Sequence, residues 1–169
     1  MNTDSTTLLL LALLGATVGG LIYGFFKTRT PAPAAGTKSF DTLPLRLQAY
    51  ERLVLLTERM ALPNLISRVN NPAASLLEMK VLLTENIKQE FEYNSTQQLY
   101  VSATAWEAVR NLKEQNILLI NQVAASMGNE ATGATLNKKL LDIMLSQQQE
   151  PLHDIVTRVL NQEAKQLMS

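Results

Sequence analysis

The chain has 169 residues, 15 Lys+Arg against 15 Asp+Glu, one His, no Cys and 5% aromatic residues. That length fits one domain with an appendage. The absence of Cys excludes disulfides, thiolate metal sites and a Cys nucleophile, the single His excludes any site needing two imidazoles from one chain, and zero net charge argues against a nucleic-acid binder, which needs a basic face to neutralise phosphates.

After a short tail of residues 1–7, residues 8–26 (LLLLALLGATVGGLIYGFF) carry no charged side chain. As a helix this run is ~28 Å long, enough with its flanks for a bilayer core of about 30 Å. Tyr23, Phe25 and Phe26 stand at its end beside Lys27 and Arg29, the aromatic and cationic anchors expected at a membrane interface. A cleaved signal peptide is the rival reading. Against it, the only charge before the run is Asp4, and the run exceeds the roughly 7–15 residues of a signal core. The run therefore reads as a transmembrane helix. Lys27, Arg29 and Lys38 follow it, so the positive-inside rule places the N-terminus outside and the C-terminal part in the cytoplasm, single-pass in an inner membrane.

The span carries Gly15–Gly19 and Gly20–Gly24, two pairs of glycines four apart that let helices approach closely. Gly15 and Gly20 lie ~140° apart on the helix, so one seam does not use both pairs well. The plain alternative is that Gly is common in spanning helices. Residues 27–39 (KTRTPAPAAGTKS) read as a flexible linker. Pro31 and Pro33 stop helix continuation, which tethers the rest of the chain within ~40 Å of the bilayer.

Residues 40–169 carry 12 Lys+Arg against 14 Asp+Glu. This slight acidity disfavours docking on anionic lipid through charge. The periodicity predicts a bundle of five or six helices, and the whole chain is all-α. The first helix, to about residue 60, is apolar on more than one face, as a central helix is. Pro63 opens a short second helix, and Asn70-Asn71-Pro72 ends it. Ser75 and Glu78 have capping-box spacing and start a third helix running to about Gln98, with Leu76, Met79, Leu83, Ile87 and Phe91 as its buried stripe. Residues 99–102 read as a packed connector. Thr104 and Glu107 repeat the capping-box spacing at the start of a fourth helix, whose ILLI run at 117–120 faces either the core or another chain. A fifth helix covers about 135–148. Pro151 opens the sixth, on which Asp154 and Arg158 are spaced to pair.

Catalytic patterns are sparse. Gly36, Gly128 and Gly133 are the glycines outside the apolar run, too few for a phosphate-cradling loop. Glu150 and His153 have the Glu-x-x-His spacing of half a di-iron site, but the second half needs another His, so a solvated surface His is the simpler reading. Glu85, Glu90 and Glu92 cluster in sequence, yet Glu85 and Glu90 diverge by ~140° around a helix, and an exposed charged face explains them. Arg46, Arg52 and Arg59 on the apolar first helix call for carboxylate partners, with Glu90 or Glu92 as candidates. No catalytic residue, cofactor or metal ligand is assigned.

Two blocks, LRLQAYERL at 45–53 and EFEYN at 90–94 followed by QQLYVS at 97–102, together with the single N-terminal span, resemble an uncharacterised family of small membrane-anchored helical proteins of Bacteroidetes. The resemblance implies a bacterial inner-membrane setting and no activity.

The expected function is a non-enzymatic interaction or scaffold protein that presents a helical module at the membrane, with a protein partner or a second copy of itself. Arg46, Tyr50, Arg52, Tyr93, Asn94, Gln97 and Gln98 form the candidate contact surface, and packing between the first and third helices is the plain alternative for the same residues. A second reading is an accessory subunit assembled through Gly15, Gly19, Gly20 and Gly24. A third, an enzyme acting on lipid or peptidoglycan precursors, requires a polar pocket containing carboxylates.

Overall fold

The computed structural model describes residues 41–128, 130–146 and 150–169. The transmembrane reading of residues 8–26, with its four glycines, and the linker 27–39 lie outside the described residues. Among the described residues the fold is all-helical. It comprises six α-helices, α1 (Leu43–Met60), α2 (Leu62–Val69), α3 (Leu76–Tyr93), α4 (Ala103–Ala125), α5 (Gly133–Ser146) and α6 (Leu152–Met168), with a 3-10 turn at Ser95–Leu99. No strand occurs among them; one isolated antiparallel bridge joins Ser75 to Thr132. None of these helices is long and apolar enough to cross a membrane.

Each helix start has a local cause. At α1 the Asp41 carboxylate accepts the Leu43 N–H at 3.0 Å, and Pro44 presets the first turn. At α3 the capping box forms as its spacing predicts: Glu78 N–H donates to Ser75 Oγ at 3.3 Å, and Ser75 N–H donates to Glu78 Oε2 at 2.8 Å. The Ser75 N–H, and after it the Ser75 hydroxyl donating to the same Oε2 at 2.8 Å, hold the Glu78 carboxyl below its usual range. The cap of α4 differs from the expected Thr104. Ser102 is extended and its Oγ accepts the Ala105 N–H at 2.9 Å, so the helix begins two residues earlier. Glu107 turns instead to Arg110. At α5 Thr132 and Thr135 exchange the same pair of bonds, with a Thr hydroxyl in the place of the usual carboxylate.

The third helix also stops earlier than the reading to Gln98. Asn94 leaves the helical region and its side-chain amide donates to the Glu90 carbonyl at 2.9 Å. That bond satisfies one of the orphan carbonyls at the end of α3, and the chain tightens into the 3-10 turn. Leu99 at the end of that turn is 75% exposed, so the connector is packed only at Val101. On α6, Arg158 pairs with Glu150 and Asp154 lies 3.4 Å from His153, so the expected Asp154–Arg158 pair does not form.

Helix α1 is the central element. Leu53, Leu56, Thr57 and Met60 are fully buried along it. Helix α6 runs antiparallel beside it: Tyr50 meets Glu163 and Leu47 shares a groove with Met168. Helix α3 is also antiparallel, with Arg59 meeting Glu90 and Arg52 close to Asn94. Helix α4 runs parallel to α1, from Ser102 at Tyr50 to Asn116 at Met60. The Asn116 amide, itself buried, donates to the Met60 carbonyl at 2.7 Å and satisfies the end of α1. Met79, Leu83 and Ile87 of α3 are buried as the stripe predicts, and Phe91 stacks at 4.9 Å on Trp106 of α4. The ILLI run divides: Ile120 is buried, Ile117 and Leu119 pack against the core, and Leu118 faces outward.

Candidate functional site

The sequence-predicted contact residues separate into two groups. Tyr50 is buried: its hydroxyl donates to Glu163 Oε2 at 2.6 Å and accepts the Ser102 N–H at 3.2 Å. Asn94 is buried under the end of α3, and Gln97 is buried with its amide 3.3 Å from Thr96 Oγ1. These three act within the bundle, because each side chain is held by the fold and has little surface to offer. Arg46, one turn before Tyr50, is half-buried. Arg52, Tyr93 and Gln98 are exposed.

Arg52 and Tyr93 come together in an open groove of about 550 Å³ between α1 and α3. Arg52, Leu55 and Arg59 line it from α1, Gln89, Glu90 and Tyr93 from α3, and the largely buried Asn94 lines it just past the end of α3. Leu55 is 62% exposed and Tyr93 is 78% exposed. The spacing that could have revealed Leu55 is simple. Residues three and seven apart share a helix face, so an apolar residue stands between two cations on the outer side of α1.

Electrostatically the groove is positive. Arg59 pairs with Glu90, and Arg68 from α2 stands 3.6 Å from the same carboxylate. This pairing is one of the two that the sequence left open. The Arg59 hydrogen bond holds the Glu90 carboxyl below its usual range, against the opposing effect of burial, and Glu90 raises the Arg59 guanidinium in return. Arg52 has no ion pair among the described residues. Two guanidinium groups thus hold one carboxylate, and a third, that of Arg52, lines the same groove.

The sign of the Glu90 shift gives a pH prediction. A carboxyl depressed in the folded state contributes stability that is fully present above its unfolded pKa and is lost as pH falls through the folded one. Glu90→Gln is expected to lower stability by about 0.5–1 kcal/mol near neutral pH, since Arg59 is half-exposed and water screens the pair. Urea unfolding of wild type and variant should converge in acid. A gap that persists below the carboxylate range assigns the loss to packing instead.

The carboxylates of α3 do not converge. Glu85 pairs with Lys88 at 2.7 Å, Glu90 is held by arginines, and Glu92 is exposed. A carboxyl kept ionised by guanidinium groups is a poor proton donor near neutrality. Glu150 is drawn to Arg158, while His153 is half-buried in a separate cavity of about 240 Å³ with Leu118, Met144 and Leu152, not on the solvated surface expected for it. Among the described residues no three His, Asp or Glu gather as a metal site requires.

A family model described as a family of unknown function (DUF7935) matches residues 5–167. The chain belongs to that family. The DUF7935 match takes in the apolar run, the following Pro-containing segment and the six helices together. No curated protein and no solved structure matches the chain.

Proposed function

We propose that this DUF7935 member is a membrane-anchored, non-enzymatic interaction module, held at the cytoplasmic face of an inner membrane by residues 8–26, that receives a protein partner in the α1–α3 groove. One observation carries this reading: Leu55 and Tyr93 expose apolar surface beside Arg52, which has no ion pair among the described residues, and the half-exposed Arg59. Tyr and Arg are the side chains most often dominant in protein contacts, because each combines apolar area with a polar end. The excess of guanidinium over carboxylate favours a partner segment bearing Asp or Glu beside an apolar residue.

The test is retention of partners by the full chain, tagged at its C-terminus and solubilised mildly. Arg52→Ala and Tyr93→Ala are each expected to reduce retention about tenfold, ~1.4 kcal/mol. Thermal stability should move by no more than about 0.5 kcal/mol, as for exposed positions. Unchanged retention in both variants removes the groove from the function. Loss of assembly on replacing Gly15 and Gly19 with Leu, with the groove variants retained, favours instead an accessory subunit assembled through the span.

A further inference from the structure

The Tyr50 hydroxyl gathers three elements at one end of the bundle: the first turns of α1, the start of α4 at Ser102, and the last turns of α6 at Glu163. Four large apolar side chains are exposed there. Leu45 belongs to α1, Leu99 ends the 3-10 turn and Tyr100 follows it, and Met168, 61% exposed, ends α6. The other end lies where the Ser75–Thr132 bridge brings the starts of α3 and α5 together.

What covers this end is indicated by how the chain enters it. The described residues begin at Asp41, two residues before α1, and residues 27–40 separate that point from the uncharged run 8–26. These fourteen residues reach at most about 50 Å when fully extended. The far end of the bundle lies a further ~27 Å away, the length of an 18-residue helix such as α1. A bundle tethered through the start of α1 therefore presents this end to the bilayer more than any other. Local charge does not drive the approach, since Arg46 and Lys165 are offset by Asp41 and Glu163. Leu, Met and Tyr are suited to the interfacial layer, and the long stems of Arg46 and Lys165 can follow while their charges remain in water.

We infer that the bundle end built from the start of α1, residues 95–102 and the end of α6 rests on the lipid surface, with Leu45, Leu99, Tyr100 and Met168 set into the headgroup layer. This rests on the membrane-anchored reading above. The contact is apolar, and it is weak by itself. The tether makes it effective by holding the surface at high local concentration. It also fixes the direction in which the α1–α3 groove is offered, along the side of the bundle with its Tyr93 end next to the patch.

The chain has no Cys, so a single introduced Cys carries a fluorophore at one defined place. Gln98→Cys and Ser169→Cys put the label beside the apolar patch. Gly128→Cys puts it at the other end, where an added Cβ meets no atom within 4 Å. The full chain is reconstituted in phosphatidylcholine nanodiscs containing a headgroup-nitroxide lipid. The expected result is loss of most emission at 98 and 169 and little loss at 128. Leu99→Asp with Met168→Asp should restore the emission, whereas Leu77→Asp with Val81→Asp, exposed apolar positions on the first half of α3, should leave the quenching in place. Equal quenching at all three labels overturns the inference, as does quenching that survives Leu99→Asp with Met168→Asp. Quenching that appears only when phosphatidylglycerol is added replaces an apolar contact with a charged one and overturns it too. A chain that does not elute with the nanodiscs overturns the anchored reading together with the contact, whereas a retained but unquenched chain overturns the contact alone.

Discussion

Tyr50→Ala is expected to lower the stability of the bundle by about 3–5 kcal/mol, the range for removing a large buried aromatic side chain. In thermal unfolding this is a fall of roughly 10 °C or more. The ring is 2% exposed, and its hydroxyl joins α1 to Glu163 of α6 and to the Ser102 N–H that opens α4. Tyr50→Phe keeps the ring and leaves the Ser102 N–H without this acceptor. It should cost about 1–2 kcal/mol, the penalty for a half-buried polar group that loses its partner. Burial, and then the bond to Glu163, raises the phenol pKa. A group with a raised folded pKa contributes stability that is present below its unfolded pKa and lost as pH rises through the folded one. The advantage of wild type over the Phe variant should therefore fade in strong alkali. If Tyr50→Ala left the melting temperature unchanged while abolishing partner retention, Tyr50 would belong to the contact surface and its assignment to the bundle interior would fail.

Gly133→Val is the second large effect. Gly133 is the first residue of α5 and is buried against the start of α3. A Cβ there would stand 2.8 Å from the Ala74 carbonyl oxygen and 2.8 Å from Met79 Cβ. Neither neighbour is a flexible tip: one is backbone and the other is the root of a fully buried side chain. The same approach lets Gly133 N–H donate to the Ala74 carbonyl at 3.0 Å. Valine must push the two helix starts apart, and a loss of about 3 kcal/mol is expected, the upper part of the range for overpacking. Gly128→Ala provides the control. Its added Cβ meets open space, so urea unfolding should register a change within about 0.5 kcal/mol. Equal effects at both positions would show that backbone freedom, rather than close approach, explains the glycine at 133.

The periodicity of α3 and the Ser75–Glu78 spacing were sufficient to place that helix and its buried stripe, because both depend on residues within one or two turns of each other. The same local logic named Thr104 as a cap and extended α3 to Gln98, and both were incorrect for one reason. Several Ser, Thr and Asn side chains compete for each helix end, and the selection falls to the residue whose backbone is already extended or freed by its neighbours. Ser102 is extended and tied to Tyr50 from across the bundle, which determines the start of α4. The candidate site was legible to a similar degree. Arg52, Tyr93 and Asn94 line one groove, but Tyr50 is drawn inside by a bond to Glu163 that no spacing rule contains, and Gln97 is buried in the turn that follows α3.

Local patterns were enough to give the helical class, a bundle of five or six helices in order along the chain, and the uncharged run at residues 8–26. These follow from composition and from patterns a few residues long, through the length of an apolar stretch, the 3.6-residue period, and Pro or Ser at helix starts. Packing settles which arginines hold Glu90, that Leu118 turns outward while Ile120 turns in, and that Gly133 lies against Ala74 and Met79. Each of those depends on which helix packs beside which and in what direction. That is a property of side chains tens of residues apart meeting in space, and no local pattern encodes it.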